Sequence, residues 1–588
     1  MEQNSSLQTS KGADEAGTVS YTVDGFVDYK GDPANKLKHG GIRASIHIFA
    51  MTILENMANL GTSVNLMTYF YYHMHYDLSQ SANMVSNFMA TTFLLSLVGA
   101  FISDAYISKL HILLVFGSVE FIGFMLLTIQ AQTKSLHLPP CDMFEPNVIC
   151  DHVSGRKSVI LFSGLYLIAL GSGGLKAILP TLGADQFDEH DPKEQRLVSS
   201  FFNFFLFSLC FGACIGVVFL VWLQNNEGWD IALSICSSSI LIGLFLVALG
   251  YNKFRNRIPV GSPATKIWNV LAAAYRNRNL DIPSDIKDLY EEEVHQNNKH
   301  KLEDLERLPH TTQFKFLDRA AILASVTKGS KLCTVTSVEE VKILIRMLPI
   351  FASTIVMNTC LAQLQTFSIQ QGVTMNKKLG SLEIPSASVP IIPMAFIVIL
   401  TPLYDRVFVP FARRYTGLET GISHLRRVGI GLVLSIFSML TAAIVEIRRK
   451  NIAKEHNLVY ANPILNPLPM SVFILGFQYF IFGIADLFTF VGLLEFFFSQ
   501  APKGFRPLGT AFAWCSMSMG YFLSSVLVRV INEITKNLTS GGWLKGNNIN
   551  LNHLDLFYWA LAVLSFLNFF NYLYWANWYT YKRVESNH

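Results

Sequence analysis

Four ionisable residues stand in stretches that are otherwise apolar. Glu55 ends the run Ile46-His-Ile-Phe-Ala-Met-Thr-Ile-Leu-Glu55, and Lys176 lies in Gly171-Ser-Gly-Gly-Leu-Lys-Ala177. Asp486 lies in Gly483-Ile-Ala-Asp-Leu-Phe-Thr489, and Glu495 follows it by nine residues. An ionisable side chain in hydrocarbon is costly unless it faces water or a partner, so such residues mark routes for protons, ions or polar solutes. Lys176 and Asp486, facing each other across a cavity, are expected to form a pair that breaks and reforms as two halves of a molecule rock. The plainer alternative is a static ion pair clamping two helices. Glu495, nearer the end of its stretch, reads either as a gate contact or as a carboxylate reaching out to water. His47 reads as a packing histidine.

No other chemistry is written in the chain. No His, Cys or Asp cluster has metal-ligand spacing, and neither a Ser-His-Asp arrangement nor a Gly-rich phosphate loop occurs. The expectation is a protein that is not an enzyme and needs no metal and no cofactor.

The elements that must carry these residues follow from composition. The chain has 588 residues, of which 51% are hydrophobic and 15% charged, against about 25% charged in soluble domains. A hydrocarbon core about 30 Å thick takes roughly 20 mostly apolar residues per helix. The apolar blocks predict an all-α membrane protein with twelve spans: 44–72, 84–104, 110–131, 158–181, 198–223, 229–251, 343–367, 386–405, 424–446, 467–496, 508–531 and 555–578. Residues 1–43 form an N-terminal tail, 44–251 a first six-helix bundle, and 252–342 a polar linker with an amphipathic helix. Residues 343–578 form a second six-helix bundle, and 579–588 a C-terminal tail. This layout implies a site between the two bundles.

Lys30, Lys36, Lys38 and Arg43, with the basic clusters of the linker, place both termini and the linker on the cytoplasmic side. Arg448, Arg449, Lys450 and Lys454 oppose that topology, since it puts their loop outside. The net charge of +4 carries no basic tract for nucleic acid. Residues 1–38 are polar, so no cleavable signal peptide is expected. Cys141 and Cys150 share a polar loop and pair plausibly in an oxidising compartment; the other cysteines read as small buried apolar residues. Asn537-Leu-Thr539 is a glycosylation sequon in a loop placed outside, whereas Asn4-Ser-Ser6 would be inert in the cytoplasm.

Gly99-Ala-Phe-Ile-Ser-Asp104-Ala-Tyr-Ile-Ser-Lys109 resembles the major facilitator loop, with Ser108 in place of its second glycine. The resemblance implies that Asp104 and Lys109 latch the cytoplasmic helix ends. Gly183-Ala-Asp-Gln-Phe-Asp188, Pro192-Lys-Glu, Ser199-Ser-Phe-Phe-Asn203, His39-Gly-Gly, Leu348-Pro-Ile-Phe-Ala and Phe488-Thr-Phe-Val-Gly extend it. Over about residues 36–580 the chain resembles the plant nitrate and peptide transporter family, within the proton-dependent oligopeptide transporters and the major facilitator superfamily. That resemblance implies a major facilitator fold and alternating access. It also implies a small-molecule substrate moved with protons through a lipid bilayer, while an oligomer is not implied.

Departures from the family pattern sharpen the expectation. The first span of the family carries Glu-x-x-Glu followed by Arg or Lys, linked to proton coupling. Here the matching positions are Thr52, Glu55 and Asn56, leaving one acid on that helix face. Leu361 precedes Ala362-Gln363 where nitrate-carrying relatives have a histidine, and Ala105 follows Asp104 where one relative has a phosphorylatable threonine. Lys176 matches the family lysine of the fourth span, and Asp486 replaces a glutamate. Tyr69, Leu361, Gln363, Lys176 and Asp486 make up the expected substrate set.

A leucine suits an apolar ligand and an ammonium suits a carboxylate. The expected substrate is therefore a small organic acid, such as a plant hormone (abscisic acid or gibberellin) or a specialised metabolite. Low-affinity nitrate transport, di- and tripeptide symport, and a solute sensor with little flux are the alternatives. The plasma membrane is the expected location and the vacuolar membrane the alternative.

Overall fold

In the computed structural model the apolar blocks are long helices. The structure describes residues 26–581 apart from 106, 137, 140, 142–149, 152, 189–191, 258–262, 281–288, 291–307, 323–332, 380–381, 384, 393–394, 396–406, 408, 417–421, 463–464, 503–505 and 539–540. Outside the described residues lie Asn4, most of the charged linker segments, most of the expected span 386–405 and most of the C-terminal tail. The side chains of Asp104 and Asn203 lie outside them too.

The first half comprises α1 (Gly41–Thr68), α2 (Leu78–Ala105), α3 (Lys109–Gln132), α4 (Gly155–Ala184), α5 (Pro192–Ile215) and α6 (Trp229–Leu249). A π turn, Gly216–Leu220, carries α5 on into Val221–Asn226. The second half comprises α7 (Val335–Leu364), α8 (His424–Glu455), α9 (Leu475–Gln500), α10 (Arg506–Thr535) and α11 (Leu554–Trp578). At about 1.5 Å per residue, 24 residues in α3 cross a hydrocarbon core with length to spare.

Among the described residues, ten helical segments are long and apolar enough to cross a membrane. Helix α1 is the polar exception, burying Thr52, Glu55, Asn59, Thr62, Ser63 and Asn65 along its 28 residues. The polar side chains that α1 buries are those a bilayer would reject, so neighbouring helices enclose them. It packs on α4, α5 and α6. Gly61 allows α5 this close, since a Cβ there would stand 2.9 Å from the Cα of Gly216. Helix α3 lies along α4 and α6, and α4 also holds α2. In the second half α8 packs on α9 and α11, and α7 on α10 and α11.

Buried charges staple the loops to the bundle ends. Arg255, following α6, pairs with Glu194 of α5 at 2.7 Å and donates to the carbonyls of His39 and Lys36. Gly40 must be glycine at this knot, since its φ is +80° and a Cβ would meet the Arg255 side chain at 2.4 Å. Lys36 pairs with Asp188 at 3.0 Å. These contacts give the His39-Gly-Gly and Gly183-Ala-Asp-Gln-Phe-Asp188 motifs a common physical role.

The basic stretch that opposed the expected topology is part of α8 rather than a free loop. Arg449 is fully buried, pairs with Glu446 at 2.7 Å and donates to Thr374 and Asn550. Lys450 pairs with Asp555 at 2.9 Å. Arg448 and Lys454 remain exposed, so half of the conflicting charge is neutralised within the protein.

The linker contains the helix Pro263–Arg276. Helix α7 starts at Val335, eight residues ahead of the expected span, because the Thr334 side chain accepts a hydrogen bond from the Ser337 amide and caps it. Lys342, fully buried, binds Asp318 and Glu339 at 2.7 Å each, and His310 lies 3.1 Å from Asp318. His310, Asp318 and Glu339 converge as metal ligands would. The Lys342 ammonium already holds both carboxylates, so the cluster ties linker to α7.

The two halves meet along α2 and α10. Ser518 of α10 donates to the Ala90 carbonyl of α2 at 2.7 Å, and Phe93 stacks on Trp514 with ring centroids 5.5 Å apart. Near the far ends of α1 and α5, Ser388 donates to the Val217 carbonyl, and Tyr71 donates to the Asn547 carbonyl. Val64, Val217, Val221, Ile369 and Ala387 form an apolar cluster at that end.

Candidate functional site

The strongest concentration of buried polarity lies inside the first bundle. Glu55 is fully buried on α1. Ser172 and Lys176, four residues apart on α4, share one helix face and both reach it. Lys176 Nζ stands 3.0 Å from Glu55 Oε1, Ser172 Oγ donates to the same oxygen at 2.7 Å, and Lys176 donates to Ser172 at 3.0 Å. The three side chains close a ring. Glu55 Oε2 accepts no hydrogen bond.

Helix α3 adds a residue that sequence reasoning passed over. Glu120 is fully buried, and neither carboxylate oxygen has a hydrogen-bond partner. It stands within electrostatic range of Glu55 and Lys176. The Asn59 side chain approaches it without reaching hydrogen-bond geometry. Gly171 creates the space: a Cβ there would sit 2.4 Å from Glu120 Cβ and 2.5 Å from its backbone nitrogen. The glycine that lets α3 meet α4 therefore brings Glu120 to the ring.

Lys176 is engaged in this conformation by Glu55 of its own bundle and not by Asp486. Asp486 makes no hydrogen bond or ion pair among the described residues. It retains accessible surface although protein surrounds it, as a residue lining an internal cleft does. One helical turn on, Phe490 packs edge-on against Trp514 at 5.4 Å. Tyr521, within electrostatic range of Asp486, lies 5.9 Å from Phe93 and donates to Gln365. Asp486 thus borders an aromatic seam between the halves.

Other expected site residues are placed differently from the expectation. Thr52 donates to the Ile48 carbonyl and Asn56 to the Thr52 carbonyl, so both satisfy their own helix. Tyr69 is a correction: its ring lies 4.5 Å from Trp229 and its hydroxyl faces Gln130, inside the first bundle and away from the seam. Gln363 is likewise turned to α10, donating to Ser524 at 2.6 Å with no exposed surface. Leu361 is half-buried at the edge of the core.

Lys109 pairs with Asp185 at 2.6 Å, joining α3 to the end of α4. Glu495 is held by Arg427 at 3.0 Å and faces His424 at 3.3 Å, an α8–α9 contact. Cys141 and Cys150 are joined in a disulfide. Asn537 is exposed beyond the end of α10.

Two helical halves, with an ion cluster buried in the first and a carboxylate lining the seam between them, define a multi-pass membrane transporter of the major facilitator fold. The POT family (PTR2) pattern matches residues 110–544, and the chain belongs to that family. It is 44% identical over 581 residues to Protein NRT1/ PTR FAMILY 4.6 of Arabidopsis thaliana, covering 96% of this chain and 98% of that one. Protein NRT1/ PTR FAMILY 4.5 of Arabidopsis thaliana is 43% identical over 564 residues, covering 96% and 98%. Among solved structures, an auto-inhibited POT family peptide transporter superposes with a TM-score of 0.67 at 17% identity, covering 93% of this chain and 98% of that one. The POT family transporter PepTSo gives 0.66 at 17%, covering 91% and 98%. At such identity the likeness speaks for the fold.

Proposed function

We propose that this transporter couples proton movement to uptake of a small organic acid by alternating access, in the plasma membrane. The observation that carries the reading is the ring of Glu55, Ser172 and Lys176. A carboxylate holding the one ammonium competes with any substrate anion for it. A proton taken up by the buried acids around the ammonium weakens their hold on it, and Lys176 is then free to take the substrate carboxylate. Release of the anion lets the proton leave and the pair reform. Asp486, on the other half, offers Lys176 an alternative partner once the halves rock together.

The seam supports an organic ligand. Phe490 and Trp514, both partly exposed, present ring surface at the seam that Asp486 borders, with Phe93 and the buried Tyr521 packed behind them, and aromatic surface suits a ring-bearing acid better than a small hydrated anion. Leu361 adds apolar surface and no hydrogen-bond donor for nitrate.

The test is uptake of labelled abscisic acid, gibberellin, nitrate and a dipeptide by oocytes under voltage clamp at several external pH values. Labelled uptake that grows as external pH falls, with one organic acid preferred, is expected. Uptake indifferent to pH and unchanged by Glu55→Gln would sink the coupled mechanism. Preference for nitrate or dipeptide would overturn the substrate class.

A further inference from the structure

We infer that Glu120 is the proton-carrying carboxylate of this transporter, supplied by α3 in place of the second acid that α1 lacks, while Glu55 remains the counter-ion of Lys176. The inference rests on the proton-coupled reading given above and assigns its proton to a residue.

Geometry separates the two acids. Glu55 is tied by Lys176 and Ser172 through one oxygen, so its charge is compensated. Glu120 is equally buried, yet both of its oxygens lack a partner. An ionised carboxylate buried in that position without a partner is destabilising, and binding a proton relieves the cost. Gly171 leaves room for no more than the existing contact with α4, so Glu120 is held in place without being bonded.

Charge counting gives the same answer. The groups facing Glu120 are Glu55 and Asn59 from α1, Lys176 from α4 and the Cys236 thiol from α6. Cys236 is itself occupied by Thr62, 3.6 Å away. With both carboxylates ionised, one ammonium faces two negative charges and the cluster is net negative. One bound proton makes it neutral, which is the state that low-dielectric surroundings tolerate. Two acids sharing one cation therefore exchange a single proton as a unit. Because Lys176 and Ser172 bond to Glu55 and neither bonds to Glu120, that proton resides on Glu120.

The proton enters the Glu120 carboxylate as H⁺ and leaves as H⁺, with no bond to substrate. While it is bound, Glu120 ceases to compete electrostatically for Lys176. The ammonium then has only Glu55 to leave when a substrate anion arrives. In the canonical arrangement implied by the resemblance, both acids sit on the first span. Here they sit on separate helices that Gly171 brings together.

The experiment uses the full-length protein and two readouts. In purified protein, a pH-difference infrared spectrum is recorded for the carboxylic-acid carbonyl band. In oocytes, uptake of labelled abscisic acid is measured at acidic and neutral external pH, normalised to surface abundance. Glu120→Gln is expected to remove the band and the pH stimulation, and Glu120→Asp, which keeps an ionisable group, to restore both. Glu120→Asp also separates a lost proton site from a lost fold. Glu120→Gln that keeps the wild-type band and wild-type pH stimulation overturns the assignment while leaving proton coupling standing. Wild-type uptake that is itself indifferent to pH overturns the coupled reading, and the Glu120 role falls with it.

Discussion

Lys176 Nζ lies 3.0 Å from Glu55 Oε1, and Ser172 completes the ring by donating to that same oxygen at 2.7 Å. Among the described residues, the one cation of the first bundle's interior cluster is thus held by the acid of α1 and not by the acid across the seam. Removing one member of a buried pair leaves the other uncompensated, at a cost of about 3–5 kcal/mol. Lys176→Ala is expected to lower the melting temperature of the detergent-solubilised protein, and the double change Glu55→Gln with Lys176→Gln to recover much of it. Neither variant is expected to transport. Equal melting temperatures for Lys176→Ala and the wild type would show the pair to be unstrained by its burial.

Gly171→Val tests the closeness of α3 and α4 directly. A Cβ at 2.4 Å from Glu120 Cβ is an overlap the backbone must relieve, and overpacking of this kind costs about 1–3 kcal/mol. The variant is expected to lose transport through displacement of Glu120, with reduced but measurable surface abundance. Abundance is read by surface biotinylation, and wild-type transport per molecule would contradict the expectation.

Arg449→Lys is expected to be strongly destabilising despite conserving charge. The guanidinium bonds Glu446 through both nitrogens of its fork and also reaches Thr374 and Asn550. A lysine has one nitrogen and cannot make a bidentate pair. The loss is read as a drop in the monodisperse peak on size-exclusion chromatography. Arg448→Lys, at an exposed neighbour, is expected to leave that peak unchanged.

The disulfide predicts sidedness. Cys141 and Cys150 are expected to take up an impermeant maleimide from outside intact cells only after mild reduction, and Asn537→Gln to remove a glycan-dependent mobility shift. Labelling of this pair without reductant would overturn the disulfide, and labelling only after permeabilisation would reverse the topology. Removing a native disulfide costs about 2–5 kcal/mol in small secreted domains, so Cys141→Ser with Cys150→Ser is expected to weaken the protein modestly within so large a helical frame.

The helical architecture was legible in the sequence because spanning helices are written as long apolar blocks. Glu55, Lys176 and Asp486 stood out by the same reasoning, each a charge where hydrocarbon should be. Glu120 obeys that rule as well and lies within the expected span 110–131. Periodicity could not mark it as inward-facing. Helix α3 exposes Val115, Ile122, Met125 and Ile129 on one side and buries Leu113, Phe116, Phe124 and Leu127 on the other, and both sides are apolar. Tyr69 and Gln363 show the converse error. Their residue types suit a binding site, yet helix rotation turns them into packing against α6 and α10.

By itself, and apart from the family resemblance that marks its first span as one acid short, the sequence determined a helical membrane protein of two bundles with acids and a lysine in its spans. That much depends on solvation, which each residue type carries with it. The partnership of those charges was decided by tertiary structure alone. Whether Lys176 meets Glu55 or Asp486, and whether α3 supplies a second acid, depends on how closely helices approach. Gly171 and Gly61 permit contacts that any side chain would forbid, and a distance between helices is a property of the packed fold.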